Sequence, residues 1–193
     1  MRYSIPAALC GFLALTACGG SSVDNDSYAS RFAEGEALVR LLNEQTGQNY
    51  SDPANLPTSG GAEYDGVVAA ELPGVGSETT TVVGDLELRA NFANSTVGGT
   101  MDDFVEEDGT RYTGALIVAD GPIRRNINPD VDYTFSSAVN GRLAGNNQTY
   151  DVNGQLEGDF YGANQGFVGG EVIGNVTSNG QRAPFLGEFV GRR

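Results

Sequence analysis

The stretch GDFYGANQGFVGGEVIG, residues 158–174, supports two opposite readings. Six glycines in seventeen residues suggest a flexible linker. Phe160, Tyr161 and Phe167, the valines around Gly169-Gly170 and the absence of proline suggest packed strands instead. The segment just upstream decides between them. With Asn146-Asn147 as a two-residue turn, a role suited to asparagine because it tolerates left-handed backbone angles, the flanking runs pair in one register. One face then brings Leu143 to Tyr150, Gly141 to Val152, Val139 to Gly154, Ser137 to Leu156, Phe135 to Gly158 and Tyr133 to Phe160. The other face sets Thr134, Ser136, Asn140 and Arg142 against Asp151, Asn153, Gln155, Glu157 and Asp159. The first face is apolar and alternates large residues with glycine, which suits the concave side of a tightly curved sheet. Residues 158–162 therefore end one strand, Ala163-Asn164-Gln165 turns, and Gly166 to Gly174 returns as the next.

Working outward, eight β-like runs are separated by Gly, Asn and Asp: about 62–71, 80–92, 95–105, 111–119, 132–145, 149–161, 166–175 and 183–191. The last repeats the device, with Phe185, Gly187, Phe189 and Gly191 on one parity and Glu188 on the other. No crossover helix fits between runs, so the pattern predicts an all-β antiparallel sheet. It must bury its apolar face against itself, as a closed barrel or a two-sheet sandwich. The longest connections are expected at 72–79 and 120–131.

Upstream the text changes. Asp26 or Ser27 can cap a helix, Tyr28, Phe32, Val39 and Leu42 recur at helical spacing, and Gly47 offers a stop. Gly35 costs this helix about 1 kcal/mol relative to alanine. Asn49 to Gly61 reads as loop.

Residues 1–17 read as a signal peptide: Arg2, an apolar run from Ile5 to Leu15 too short to span a bilayer, then small residues. Leu15-Thr16-Ala17-Cys18 resembles a bacterial lipobox, in which the Cys18 thiol takes a diacylglycerol and becomes the new N-terminus. Gly-Gly-Ser-Ser follows within an expected tether, 18–26. The division is then signal peptide 1–17, lipidated cysteine and tether 18–26, helical segment and loop 27–61, and barrel 62–193. Cys10 leaves with the signal, so the mature chain has one cysteine, acylated, and forms no internal disulfide. It keeps 25 acidic residues against 10 arginines and no lysine, a net charge of −15. Such a body repels phosphate backbones and anionic bilayers, which argues against nucleic-acid binding and leaves membrane attachment to the acyl chains.

The residues then resemble a known family, the β-barrel domains of transferrin-binding protein B and related surface lipoproteins of Gram-negative bacteria. The resemblance covers roughly Ala62 to Arg193. It is carried by Gly158, Phe160, Tyr161 and Gly162, followed by Gly169 and Gly170, with Ala163 where the family often has proline. Tyr64-Asp65-Gly66, Gly84-Asp85-Leu86 and Tyr112-Thr113-Gly114 are similar to weaker strand signatures. The resemblance implies an eight-stranded antiparallel barrel with a packed interior, on a lipid-anchored protein of the outer membrane or cell surface. Gly19 after the cysteine leans the same way by family analogy. The family's handle domain has no counterpart in length here, and no partner-contacting residue carries over.

Catalysis meets an inventory problem: without His, Lys or a free thiol the usual nucleophile–base pairs cannot be built. The acidic run Asp102 to Gly109 offers oxygen ligands for Ca²⁺ but matches no calcium loop, and Asp108-Gly109 reads as a hairpin turn. Arg124-Arg125 could meet a partner carboxylate or balance local charge. Without His, and with Met101 alone among thioethers in the mature chain, only tyrosine could ligate haem iron. No cofactor or metal is expected, and the aromatics read as core. The chain is expected to be a monomeric, non-catalytic binding module whose loops meet a macromolecule. The alternatives are a periplasm-facing carrier of a small apolar ligand or haem, and a structural envelope lipoprotein.

Overall fold

In the computed structural model, residues 27–74 and 79–193 are described. Cys18, the signal peptide and the tether lie outside the described residues, as does the middle of the 72–79 connection. The chain opens with helix α1, Tyr28–Thr46. Ser27 caps it: its side chain accepts from the Ser30 backbone N–H while the Ser30 hydroxyl accepts from the Ser27 N–H. Gly47 ends the helix in the left-handed conformation, φ 59°. The buried face runs Arg31, Gly35, Leu38 and Leu42. Leu42 of the expected stripe lies on that face and Val39 packs at its margin, whereas Tyr28 and Phe32 stack on each other at 5.8 Å beside it.

Eight antiparallel strands follow: β1 Gly61–Pro73, β2 Thr79–Asn91, β3 Thr96–Glu106, β4 Thr113–Pro122, β5 Phe135–Gly145, β6 Gln148–Tyr161, β7 Phe167–Ser178 and β8 Gln181–Arg192. Each pairs with its neighbours in sequence and β8 pairs back onto β1, closing a barrel and leaving no sheet edge. The β5–β6 register is the one expected, from Gly145 opposite Gln148 to Phe135 opposite Gly158, around Asn146 and Asn147 at φ 52° and 57°. It stops there, so Tyr133 does not face Phe160. The Thr134 N–H bonds the Asp159 carboxylate instead, and Tyr133 sends its hydroxyl to Glu171 on the outer wall.

Alternate residues of each strand fill the interior, with the parity switching within β3 where its register with β2 shifts. Tyr64, Leu88, Met101, Phe104, Leu116, Phe135, Leu143, Tyr150, Leu156, Phe160 and Phe185 are all fully buried. Phe160 sits centrally, with ring centroids 5.1 Å from Phe135, 5.7 Å from Phe92 and 6.0 Å from Tyr64. One row explains the dense glycines: across β5, β6, β7 and β8 the facing residues are Phe135, Gly158, Gly170 and Phe189. A Cβ on Gly158 would lie 2.7 Å from the tip of each phenyl ring. The two rings meet over the paired glycines, their centroids 6.4 Å apart.

The two ends of the barrel differ. One carries the hairpins β1–β2, β3–β4, β5–β6 and β7–β8, and Tyr112 and Tyr150 pack edge to face beneath it. The other is covered by the segment after α1, including a 3-10 turn at Pro53–Asn55, and by the connection between β4 and β5. Leu56 inserts there into the core. On the outer wall, Leu38 and Leu42 of α1 pack against Val67, Phe167 and Val190.

Candidate functional site

The stretch 158–170 joins the parts of the molecule. Phe160 points into the core while its carbonyl accepts from the Ser51 N–H. Tyr161 faces outward, packs beside α1, and lies 5.2 Å from the Tyr50 ring. Gly162, at φ 79°, turns against the end of α1: a Cβ would lie 3.1 Å from the Thr46 methyl. Its carbonyl accepts from the Ser51 hydroxyl. Gly170 faces inward, where a Cβ would stand 2.0 Å from the Glu157 carbonyl oxygen. Gly169 faces outward under α1, with room for a Cβ at ordinary contact distances. Asp159, 1 % exposed, accepts from both the N–H and the hydroxyl of Thr134 and so fixes the β4–β5 connection. These positions hold the barrel, the helix and the end cover together.

The adjacent arginines of that connection are both engaged internally. Arg124 makes a two-pronged pair with Asp132 at 2.8 and 3.1 Å. Arg125 donates to the carbonyls of Leu56 (2.6 Å), Pro57 (2.5 Å) and Phe92 (3.2 Å), clasping the segment that carries Leu56. A guanidinium spreads five N–H donors in a plane, which suits three converging carbonyls.

The acidic run divides. Glu106 to Thr110 forms the expected hairpin turn, with the Thr110 N–H bonded to the Asp108 carboxylate. That bond holds the Asp108 carboxyl below its usual range. Asp102 and Asp103 belong to β3, where the register with β2 shifts, and with Asp85 they bring three carboxylates within 4.8 Å. The α1 residue Arg31, 3 % exposed, lies against this group with its Nη1 2.5 Å from Asp85. Burial raises the Asp85 carboxyl above its ordinary value against the pull of Arg31, and Asp103 and Asp102 add to the rise. The group is an oxygen-rich cluster of the kind that holds a hard cation, with the Arg31 guanidinium already beside it. Sequence reasoning missed Arg31; the signal was Asp85 facing Asp102 across β2 and β3, since opposed like charges call for a cation.

A second carboxylate row crosses the outer wall. Glu157, Glu171 and Glu188 face one another in register on β6, β7 and β8. Burial raises the carboxyls of Glu157 and Glu188, and Glu171 between them raises both further. The Tyr133 hydroxyl donates to Glu171 at 2.6 Å.

Two open clefts lie at the covered end. One, of about 540 Å³, runs between the 48–53 segment and 127–130, with Asn49, Tyr50, Asp52, Asn128 and Asp130 on its walls. The other, of about 770 Å³, lies beside the start of β1, with Glu63, Arg89 and Arg193 on its walls. The wall itself is charged outside and apolar inside, the reverse of a membrane-spanning barrel. No α-helix among the described residues is long and apolar enough to cross a membrane. No protein-family model matches the chain, and no curated protein matches it.

Proposed function

We propose that this chain is a lipoprotein of the outer membrane or cell surface, anchored through Cys18, whose barrel is a non-catalytic binding module for a macromolecular partner. The reading keeps the likeness to the barrels of transferrin-binding protein B and related surface lipoproteins, which rests on the lipobox and on Gly158, Phe160, Tyr161, Gly162, Gly169 and Gly170. The observation that carries it is the packing of the interior. Rings and aliphatic side chains from all eight strands fill the space that a small ligand or haem would need, as expected of an eight-stranded barrel. Binding is thereby left to the outer wall and the end loops. A charged wall suits an aqueous setting, with acyl chains rather than strands holding the protein to a membrane.

Two experiments test this. Affinity capture from the natural surroundings with the acyl-free body should retain a saturable macromolecular partner. Protease treatment of intact cells should cleave a surface-displayed body. A body protected until the outer membrane is opened, carrying a stoichiometric small apolar ligand, would replace this reading with the carrier.

A further inference from the structure

Resting on the reading of Cys18 as the lipid anchor, we infer that the barrel stands upright on the membrane. Its hairpin end faces the lipid, and the end bearing the clefts, the 48–57 segment and the β4–β5 connection points away.

The direction of α1 on the barrel wall carries this inference. The helix begins at the hairpin end: Glu107, in the β3–β4 hairpin, lies close enough to Tyr28 to raise its phenol further, although burial is the larger cause. One turn on, Arg31 engages Asp85. Leu38 and Leu42 then cross Val67 and Val190, and Thr46 ends against Gly162 in the β6–β7 turn at the opposite end. A 19-residue helix is about 29 Å long, close to the height of the barrel. The chain therefore enters at the hairpin end.

The tether's length makes the direction matter. Eight residues, 19–26, lie between the anchoring Cys18 and Ser27, so nine Cα–Cα steps join them. Fully extended they span at most about 32 Å. Thirteen-residue strands tilted as in small barrels give a height of about 33 Å. Inverting the barrel would stretch the tether along its whole wall. The upright arrangement needs no such extension. Charge works the same way: a body at −15 is repelled by anionic headgroups within a Debye length of about 8 Å, so it stands off on its tether instead of lying flat.

The test uses the acylated full-length protein, purified from membranes and reconstituted in phosphatidylcholine vesicles doped with a nitroxide-headgroup lipid. Gln181→Cys at the start of β8 and Ala93→Cys in the β2–β3 turn, both exposed positions, each receive a fluorophore. The label at position 181 should be quenched several-fold more strongly than that at 93, and a long Gly/Ser insertion after Ser22 should erase the difference. Equal or reversed quenching on acylated protein overturns the orientation while leaving the anchor intact, as does a difference that survives the insertion. Protein recovered without acyl chains and absent from vesicles overturns the anchor, and the orientation with it.

Discussion

Gly169 and Gly170 are adjacent in sequence and opposite in environment, so alanine at each should give different results. At Gly170 the new Cβ would stand 2.0 Å from the Glu157 carbonyl oxygen, where ordinary contact begins near 3.4 Å. The obstacle is backbone, so β6 and β7 must part by more than an ångström locally. Overpacking of this kind costs about 1–3 kcal/mol. A ladder hydrogen bond weakened by the parting adds about 1 kcal/mol. The sum, about 2–4 kcal/mol, lowers the melting temperature by roughly 4–16 °C at about 2–4 °C per kcal/mol for a domain of this size. At Gly169 the nearest atoms would lie at 3.5 Å, and alanine narrows the unfolded ensemble. Gly169→Ala should therefore be neutral or stabilising by about 0.5 kcal/mol. Gly158→Ala should fall between them, because the atoms in its way are ring tips at 2.7 Å. Urea unfolding followed by circular dichroism, with thermal melts beside it, measures all three. Equal effects at 169 and 170 would refute the account of these glycines as seats for close packing.

Arg125→Gln should loosen the segment that inserts Leu56, lowering stability by about 2 kcal/mol and exposing 48–60 to limited proteolysis; an unchanged cleavage pattern would contradict the clasp. Arg31→Leu removes the cation beside Asp85, Asp102 and Asp103 and should cost about 1–2 kcal/mol, discounted because Asp85 is half exposed; denaturant midpoints measure it. The Glu157–Glu171–Glu188 row sets a pH dependence. Its outer members have raised carboxyl values in the folded state, so the folded protein binds more protons than the unfolded one at pH values above the ordinary 4.5. Stability should rise as pH falls from neutral towards 4.5, and Glu171→Gln should stabilise at neutral pH and flatten that slope in melts across the range. Asp151, held low by its bond to Arg142, works in the opposite sense: its contribution is lost as pH falls below the ordinary 3.8 and through its lower folded value.

The barrel was largely readable because its cues are local. The period of two, the turn at Asn146-Asn147 and the glycine partners of Phe135 and Val139 each act within a hairpin, and together they predict the β5–β6 register. Closure of β8 onto β1 joins the two ends of the barrel sequence, and nothing local announces it. Only the C-terminal half of the helix face, at Val39 and Leu42, is legible in the sequence, because Arg31 and Gly35 look unfit for a core until β2 and β3 present Asp85 and Asp102 beneath them. The same applies to Arg125, whose partners are backbone carbonyls that any sequence supplies. Tyr133 left the expected ladder because Asp159 offers the Thr134 N–H a carboxylate, a competition between side chain and strand that alternation cannot show.

Native mass spectrometry of the protein extracted from its own membranes reports both the anchor and the contents of the barrel in one spectrum. A lipid-anchored chain with a packed barrel should begin at Cys18, carry the mass of acyl chains and hold no stoichiometric small molecule. A chain beginning elsewhere without acyl chains, or a one-to-one small ligand that survives removal of lipid, would contradict that arrangement.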